Sequence, residues 1–539
     1  MKIRSDILRT YQSIHTWTGI IAGLVLFIGF YAGSLTMFKP QIEQWASPPA
    51  QHLPQVPTEH LDQLVEKSLS QYNNAQQDFI INFDEHKSPM SWYESGGGRG
   101  IRLDDSLMHA SLSDSGSLIT QTSGTNELGN LIDQLHRTAG IMGKVGHEDL
   151  GVLILGVAAL LYFLALVSGV IFLLPTLTKS LFALRKNKGA NRFWLDSHNL
   201  VGVLSLPFHL IIAWTVVVFA FHDLFYGGLS IIYGDKPLFE PREKSTIEYS
   251  VADLPSINHY MDTVYQQVDG YTISSMDFSK LSSTSPAVAI KLVSDTQMMR
   301  GGFSDFIYMN PYTFEVQYST IPNSKDGAYG PIVNSFFSLH FGNYAGNFGR
   351  WLYFAMGLLG AFLFYSGNLL WLEKRRQKQQ EQTKASKVMS ALTIGVALGS
   401  MLGVSLAMLS SKWLYLFNFE VNNHYLFIYY TSFLLAIGYS FIRGAALSAI
   451  HLLYLLTLSC LLIPLTSLMS FVLPGLWPAS SLSGVTIELM ALLFAAAFYF
   501  TAKKTKHRAY FGERNSIWAL DTLKTKETEI QTEAVITER

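Results

Sequence analysis

The side chains best suited to chemistry in this sequence are histidines that recur at matched positions. His15 in IHTWTG and His198 in SHNLVG each stand four residues before a glycine. His136 and His340 each follow a leucine and precede a glycine-rich stretch. Neutral imidazoles on facing helices are suitable axial ligands for haem iron. Two such pairs at different depths would form a path for electrons across a membrane.

A fifth histidine, His209, lies eleven residues after His198 in the segment DSHNLVGVLSLPFHL. In an unbroken helix this spacing is nearly three turns, so both side chains would share one face, roughly 16 Å apart. Pro207 lies between them and is expected to kink the helix. Imidazole is costly inside a membrane, so a histidine there tends to be functional. We interpret His209 either as an alternative haem ligand or as a relay beside a haem.

The alternative is that the histidines are structural, because a single interfacial histidine more often forms a hydrogen bond than binds a metal. The matched repetition favours ligation for the four paired residues. His209 stays open between the two interpretations, since Leu26 occupies the corresponding place in the first helix. His147 is ambiguous. We interpret the following histidines as structural or surface residues: His52, His60, His86, His109, His222, His259, His424 and His451.

Two arginines are candidates to pair with haem propionates. Arg137 directly follows His136, and Arg350 follows the second glycine-rich stretch. An arginine can hold a carboxylate through two parallel hydrogen bonds. The alternative is ordinary snorkelling of a charged head to the membrane surface. The sequence identifies no catalytic residue.

Composition places the chain among membrane proteins and excludes several cofactors. Hydrophobic residues make up 49% and charged residues 15% of 539 residues, against roughly 25% charged in soluble domains. The net charge of -1 gives no reason to expect nucleic acid as a partner. The single cysteine, Cys460, excludes an intramolecular disulfide and a cysteine-ligated iron–sulfur cluster.

No segment carries a nucleotide-binding signature. SGGGRG at 95–100 lacks the residues of a phosphate-binding loop or a dinucleotide fingerprint. GHED at 146–149 is too short to predict a metal site. Electrons would therefore have to come from an unidentified donor, either a quinol or a cytoplasmic reductase.

The histidines are set among apolar segments of membrane-spanning length. Eight such segments fall at about 16–38, 150–174, 199–221, 350–372, 388–409, 424–442, 445–472 and 484–501. The N-terminus and the loops at 178–192, 373–387 and 503–508 are basic and would share one side. The positive-inside rule makes that side cytoplasmic, with both termini inside. No signal-peptide cleavage site follows the first helix, so we predict that it is retained.

Two polar segments are too long to be loops and are predicted to be outward-facing domains. Each has the pattern of one helix followed by a small antiparallel sheet, an α+β module. The unit of helix, module, Leu-His, glycine-rich stretch and helix occurs twice in the first 372 residues. We therefore predict a mainly α membrane protein with a four-helix core built from a two-fold repeat, followed by four additional helices.

These boundaries divide the chain into ten segments. They are helix 1 (1–38), module 1 (39–149), helix 2 (150–174), a cytoplasmic loop (175–198), helix 3 (199–221), module 2 (222–349), helix 4 (350–372), a basic cytoplasmic loop (373–387), a four-helix C-terminal membrane domain (388–502) and a cytoplasmic tail (503–539). The Thr- and Glu-rich end of the tail is predicted to be disordered.

The core resembles the PepSY-associated transmembrane-helix family, over residues 1 to about 375. The resemblance is carried by SIHTWTGIIAGLVLFIGFYAGSL, QLHRTAG, DSHNLVGVLSLPFHLIIA and SLHFGNYAGNFGRWLYFAMGLLGAFLFYSGNLLW. SLSDSGSLIT and MNPYTFEVQ resemble the PepSY strand-turn-strand, although both depart from its usual Asp-Pro-x-Thr-Gly turn. The family consists of bacterial inner-membrane proteins linked to iron uptake, and includes di-haem reductases that release iron from ferric siderophores.

The resemblance implies two b-type haems, with ligands to be sought at His15, His136, His198, His209 and His340. It also implies periplasmic modules, and ferric iron or a ferric siderophore as substrate of a ferric-chelate reductase. A non-redox PepSY-type binding or scaffold protein of siderophore transport is the alternative. A metal permease is less supported, because acidic residues are scarce inside the core helices. The chelate, the ligand pairing and the oligomeric state stay open.

Overall fold

The computed structural model describes most of the chain. The described residues are 4–49, 53–95, 101–146, 148–177, 182–185, 189–234, 247–321, 329–379 and 381–520. His52, His147, most of the glycine-rich segment 95–100, much of the basic loop at 178–192 and the predicted disordered tail lie outside them. The chain divides into a helix-rich unit (Met1–Ala32, Leu161–Pro207, Leu358–Arg539) and a sheet-containing unit (Gly33–Leu160, Phe208–Gly357).

Long apolar helices dominate the fold. The helices are α1 (Ser5–Thr36), α2 (Lys39–Ala46), α3 (Leu61–Gln71), α4 (Leu128–Thr138), α5 (Leu150–Leu173), α6 (Ala190–Leu204), α7 (Leu206–Ala220), α8 (His222–Tyr233), α9 (Ile257–Tyr265), α10 (Tyr329–Phe341), α11 (Gly346–Arg376), α12 (Lys384–Leu416), α13 (Val421–Met469) and α14 (Leu482–Phe511). Among the described residues, six helices are long and apolar enough to cross a membrane, or up to seven if the bent pair α6 and α7 is one span. A mainly helical, multi-pass membrane protein is thereby confirmed, whereas the eight spans and the two-fold repeat stay predictions.

The predicted single helix 199–221 is two helices. The axes of α6 and α7 differ by 68°, and Ser205 between them leaves the helical conformation. Pro207, in the first turn of α7, has no N–H with which to continue the hydrogen-bond ladder of α6. The prediction that His198 and His209 share one helix face is therefore wrong, because it required an unbroken helix. The predicted loop 175–198 also ends early, since α6 begins at Ala190 and places His198 inside the helix.

Both polar segments contribute to one antiparallel sheet. The strands are β1 (Phe79–Asn82), β2 (Met90–Ser95), β3 (Ser106–Leu112), β4 (Leu118–Gly124), β5 (Lys144–Val145), β6 (Glu148–Asp149), β7 (Thr272–Ser279), β8 (Ala287–Val293), β9 (Asp305–Met309) and β10 (Val316–Ser319). In the described residues, eight strands follow the order β10-β9-β8-β7-β1-β2-β3-β4, and β5 pairs only with β6. The predicted modules thus share a sheet instead of forming two separate ones.

The centre of the shared sheet is the antiparallel pairing of β1 with β7. Phe79 lies opposite Phe278, and their rings stack at 4.5 Å between centroids. Alternate residues of the sheet point into one core, which α3 and α9 cover with Leu64 and Tyr260. Cross-strand aromatic pairs stabilise such strand pairings. The two segments therefore fold as one body.

The last three helices share a core with the end of α11, which contributes Leu372, within the helix-rich unit. Gly395, Gly399 and Gly403 recur every fourth residue on α12, and a Cβ at each would meet residues of α13 within about 3 Å. This small-residue stripe allows the backbones of two membrane helices to approach closely. α13 itself is interrupted at Gly444, which has φ 74°. The interruption lies at the predicted boundary between the segments 424–442 and 445–472.

Candidate functional site

The first histidine pair, His15 and His198, meets in the helix-rich unit. Their ring centroids lie 6.4 Å apart, with the rings nearly perpendicular. His15 Nδ1–H donates to the carbonyl oxygen of Ala165, at 2.8 Å. Because a carbonyl only accepts, Nδ1 carries the proton and Nε2 carries a lone pair. The ring is thus held in the tautomer that can bind a metal through Nε2.

His198 is fixed in the same way through a hydroxyl group. Its Nδ1 lies 2.9 Å from Ser366 Oγ, and that hydroxyl donates its own proton to the carbonyl of Leu363. Both contacts form together when the hydroxyl accepts from Nδ1–H, and that tautomer leaves the lone pair of His198 on Nε2. Metal-ligating histidines show this pattern, with the second ring nitrogen bonded to an oxygen acceptor.

The second pair, His136 and His340, meets in the sheet-containing unit. These residues lie in the last turns of α4 and α10, and their ring centroids are 6.1 Å apart. His340 Nδ1 lies 2.9 Å from Thr215 Oγ1, and Thr215 donates its hydroxyl proton to the carbonyl of Ile211. With the hydroxyl proton on that carbonyl, His340 donates from Nδ1 and keeps its lone pair on Nε2. Both predicted pairs are brought together.

His340 is neutral at physiological pH. Its side chain is buried, and the ring of Phe219 lies 5.1 Å from it between centroids. Burial, and then the neighbouring His136, lower the pKa of His340 to about 3. The neutral imidazole is the form that binds a metal.

Two glycines make room for the paired rings. A Cβ at Gly33 of α1 would lie 2.6 Å from Nδ1 of His136, and one at Gly169 of α5 would lie 2.8 Å from Nδ1 of His15. Each ring therefore lies in a notch at the glycine, and the side chain of any other residue at that position would fill it. Gly33 belongs to a glycine-rich apolar segment visible in the sequence, but nothing in the sequence distinguishes Gly169 from other membrane glycines.

The remaining candidates have other surroundings. His209 is buried in α7 beside Phe208, and its role as an alternative ligand stays a prediction. Arg137 is exposed and binds Asp133, one turn earlier on α4, at 3.2 Å. The guanidinium of Arg350 lies over the ring of Phe303, 5.4 Å from its centroid. The propionate contacts of both arginines stay predictions.

A buried carboxylate near His198 could not be singled out from the sequence. Asp196 accepts hydrogen bonds from Arg185 at 2.6 and 2.9 Å and lies 3.2 Å from Arg192. Such a bidentate arginine pair fixes a carboxylate in orientation as well as position. Because Asp196 is two residues before His198 on α6, the pairing holds this part of the helix in place. Its only sequence signal is an acidic residue close to a basic loop.

A known protein family matches the region that carries the two histidine pairs. Residues 12–374 match the family described as the PepSY-associated TM region. This range contains both histidine pairs, His209, and the hydroxyl residues Thr215 and Ser366. A comparison with curated proteins gave no match. Because the matched range covers more than half of the chain, the protein belongs to the family of the PepSY-associated TM region.

Proposed function

We propose that this protein is an inner-membrane b-type haem protein that carries electrons outward and reduces ferric iron, free or bound to a siderophore, at the periplasmic face during iron uptake. In this proposal both termini are cytoplasmic and the shared sheet is periplasmic. The observation that carries it is the close approach of the paired histidines, whose ring centroids lie 6.4 and 6.1 Å apart. Three of the four rings also have Nδ1 within 2.9 Å of a protein oxygen, and donation from Nδ1 to that oxygen leaves the lone pair on Nε2.

The residues present fit a haem iron with two imidazole ligands. A metal–imidazole bond is about 2 Å long, so ring centroids 6.1 and 6.4 Å apart leave room for one ion between each pair. His15 and His198 would hold one haem, and His136 and His340 the other. Bound there, haem supplies one-electron redox chemistry. The hydrogen bonds at Nδ1 fix the ring orientations and raise the basicity of Nε2.

Reduction suits iron release for a chemical reason. Ferric iron is a hard, highly charged ion that oxygen chelators hold tightly, and ferrous iron carries less charge. Delivery of one electron therefore loosens the chelate and frees Fe(II) for uptake. The electron donor stays open between a quinol and a cytoplasmic reductase.

The reaction can be measured directly in a single turnover. The purified protein would be reduced with dithionite, desalted anaerobically and mixed with a ferric hydroxamate, and Fe(II) would be trapped with a coloured chelator. We expect Fe(II) to appear as the haem is reoxidised, and the rate to fall at least about tenfold in His340→Ala. His424→Ala is the control, because this partly exposed histidine also bonds a backbone carbonyl through Nδ1. No Fe(II) from the native protein would refute the proposal.

A non-redox binding role is the second candidate, and the edges of the sheet favour it. β10 is largely exposed along its length, and β4 ends the other edge. An exposed edge strand can bind an extended peptide by adding a strand. Two results together would support this role over the reductase: the purified protein contains no haem, and cells that express it release iron from the chelate normally.

A further inference from the structure

Three potential metal ligands from distant parts of the chain converge in the sheet-containing unit. Glu148 lies in β6, directly before α5, and His222 and Asp223 begin α8, directly after α7. One ligand atom from each residue lies within 4.8 Å of the others. His222 Nε2 is 3.2 Å from Asp223 Oδ1. The sequence did not predict this cluster, because Glu148 is 74 residues from His222.

The tautomer of His222 favours a cation within the cluster. Its Nδ1–H donates to the carbonyl oxygen of Phe219 at 2.8 Å, so a neutral ring places its lone pair on Nε2. That lone pair then lies beside two carboxylates, and either a proton on Nε2 or a metal cation held by all three groups relieves the repulsion between them. A carbonyl at one ring nitrogen and a metal at the other is the usual arrangement of a metal-bound histidine.

The cluster is adjacent to the second histidine pair. The residue whose carbonyl accepts from His222 is Phe219, and the ring of Phe219 contacts the ring of His340, 5.1 Å away between centroids. One residue therefore separates the cluster from a proposed haem ligand. The side chains of His222 and Asp223 are 46% and 43% exposed, so an ion there could exchange with solvent.

We propose that Glu148, His222 and Asp223 form an exchangeable binding site for Fe(II). An imidazole nitrogen and two carboxylate oxygens suit a first-row divalent cation, with water completing its coordination. A chelated ferric ion is already held by its own oxygen ligands, so the open site takes the ion only once it has left the chelate. The assignment of this ion as the reaction product rests on the reductase function proposed above, whereas the metal site itself does not.

Fe(II) binding can be measured separately from any turnover. Full-length protein in detergent, pretreated with a chelator, would be dialysed anaerobically against graded Fe(II). We expect one saturable Fe(II) per chain beyond any haem iron. The dissociation constant should rise about tenfold or more in His222→Ala and in Asp223→Asn. The second variant is nearly isosteric, so it keeps the fold while removing a charged ligand.

The matched control is His424→Ala, which removes a partly exposed histidine whose Nδ1 also bonds a backbone carbonyl. Its Fe(II) binding should equal that of the native protein. Unchanged binding in both site variants, or no saturable binding at all, would overturn the site. If the protein has no haem but Asp223→Asn still weakens Fe(II) binding, the site stands and the reductase proposal fails.

Discussion

At the scale of single residues, a side chain with two hydrogen-bonding roles orients the proposed ligands. The hydroxyl oxygens of Thr215 and Ser366 each lie within hydrogen-bond distance of a helix carbonyl and of a histidine Nδ1. A hydroxyl that gives its one proton to the carbonyl accepts from Nδ1–H and thereby sets the tautomer of the ring. The orientation of a ring in each pair thus depends on a residue that would not itself touch the metal.

Removal of the Thr215 hydroxyl should weaken haem binding at the second pair. In Thr215→Val the buried Nδ1–H of His340 loses its acceptor, and loss of such a partner lowers metal affinity roughly 10- to 100-fold. Thr215→Ser keeps the hydroxyl and should retain haem. Haem retention during gel filtration would measure the effect. Equal retention in both variants would show that the hydroxyl does not position the ring.

The glycine notches can be tested with two substitutions on one helix. Gly33→Ala places a Cβ 2.6 Å from His136 Nδ1, whereas a Cβ at Gly19 would meet nothing within 4 Å. We expect Gly33→Ala to displace the ring and to lower haem content, and Gly19→Ala to leave haem content unchanged. Haem content per chain, with helicity from circular dichroism as a folding check, decides between them. Normal haem content in Gly33→Ala would contradict the packing described here.

Glu43 gives the sheet-containing unit a pH dependence. Burial raises its pKa to about 7, against an unperturbed value of 4.5, although nearby Lys39 opposes the shift. Since the folded-state pKa is the higher one, the contribution to stability is complete below about pH 4.5 and is lost as the pH rises through 7. Between pH 5 and 8 the free energy of unfolding should fall by roughly 1–3 kcal/mol more in the native protein than in Glu43→Gln. The free energy of unfolding would be measured against pH for both proteins. The same pH dependence in both would exclude this role of Glu43.

At the scale of elements, the sequence predicted the long helices well and their interruptions less well. Runs of apolar residues are local, so hydropathy finds them. The break between α6 and α7 needs only Ser205 and Pro207, and its 68° angle depends on neighbouring helices. The shared sheet was missed because pairing of Phe79 with Phe278 joins residues 199 positions apart, and nothing local records it. The hydrogen-bond partners of the histidines could not be predicted for the same reason.

The seam between β1 and β7 should carry much of the stability of the sheet. Phe79 and Phe278 are 1% and 2% exposed and stack on each other. Phe79→Ala is expected to cost about 3–5 kcal/mol, because it removes a buried aromatic ring and leaves a cavity. Val316→Ala, on the exposed edge strand β10, should cost much less. Hydrogen exchange of the strand amides would report both, and similar losses would argue against a continuous sheet.

At the scale of the whole molecule, the family region and the additional helices are joined by buried polar contacts. The match ends at residue 374, within the last turn of α11. There the buried carboxylate of Glu373 accepts from Arg508 at 2.6 Å, from Ser516 at 2.7 Å and from the amide of Ile517 at 3.0 Å. Removal of one partner from such a buried ion pair strongly lowers the stability of the fold. The chain beyond the family region is therefore anchored to the helix that carries Ser366.

The central claim is that two histidine pairs hold two haems, and the most direct test is the haem count per chain. Pyridine haemochrome and total iron would be measured on the purified native protein, His198→Ala, His340→Ala and the His424→Ala control. We expect two b-type haems in the native protein and the control, one in each single variant, and none when His198 and His340 are both replaced. A native protein without haem, or an equal haem count in all variants, would contradict it.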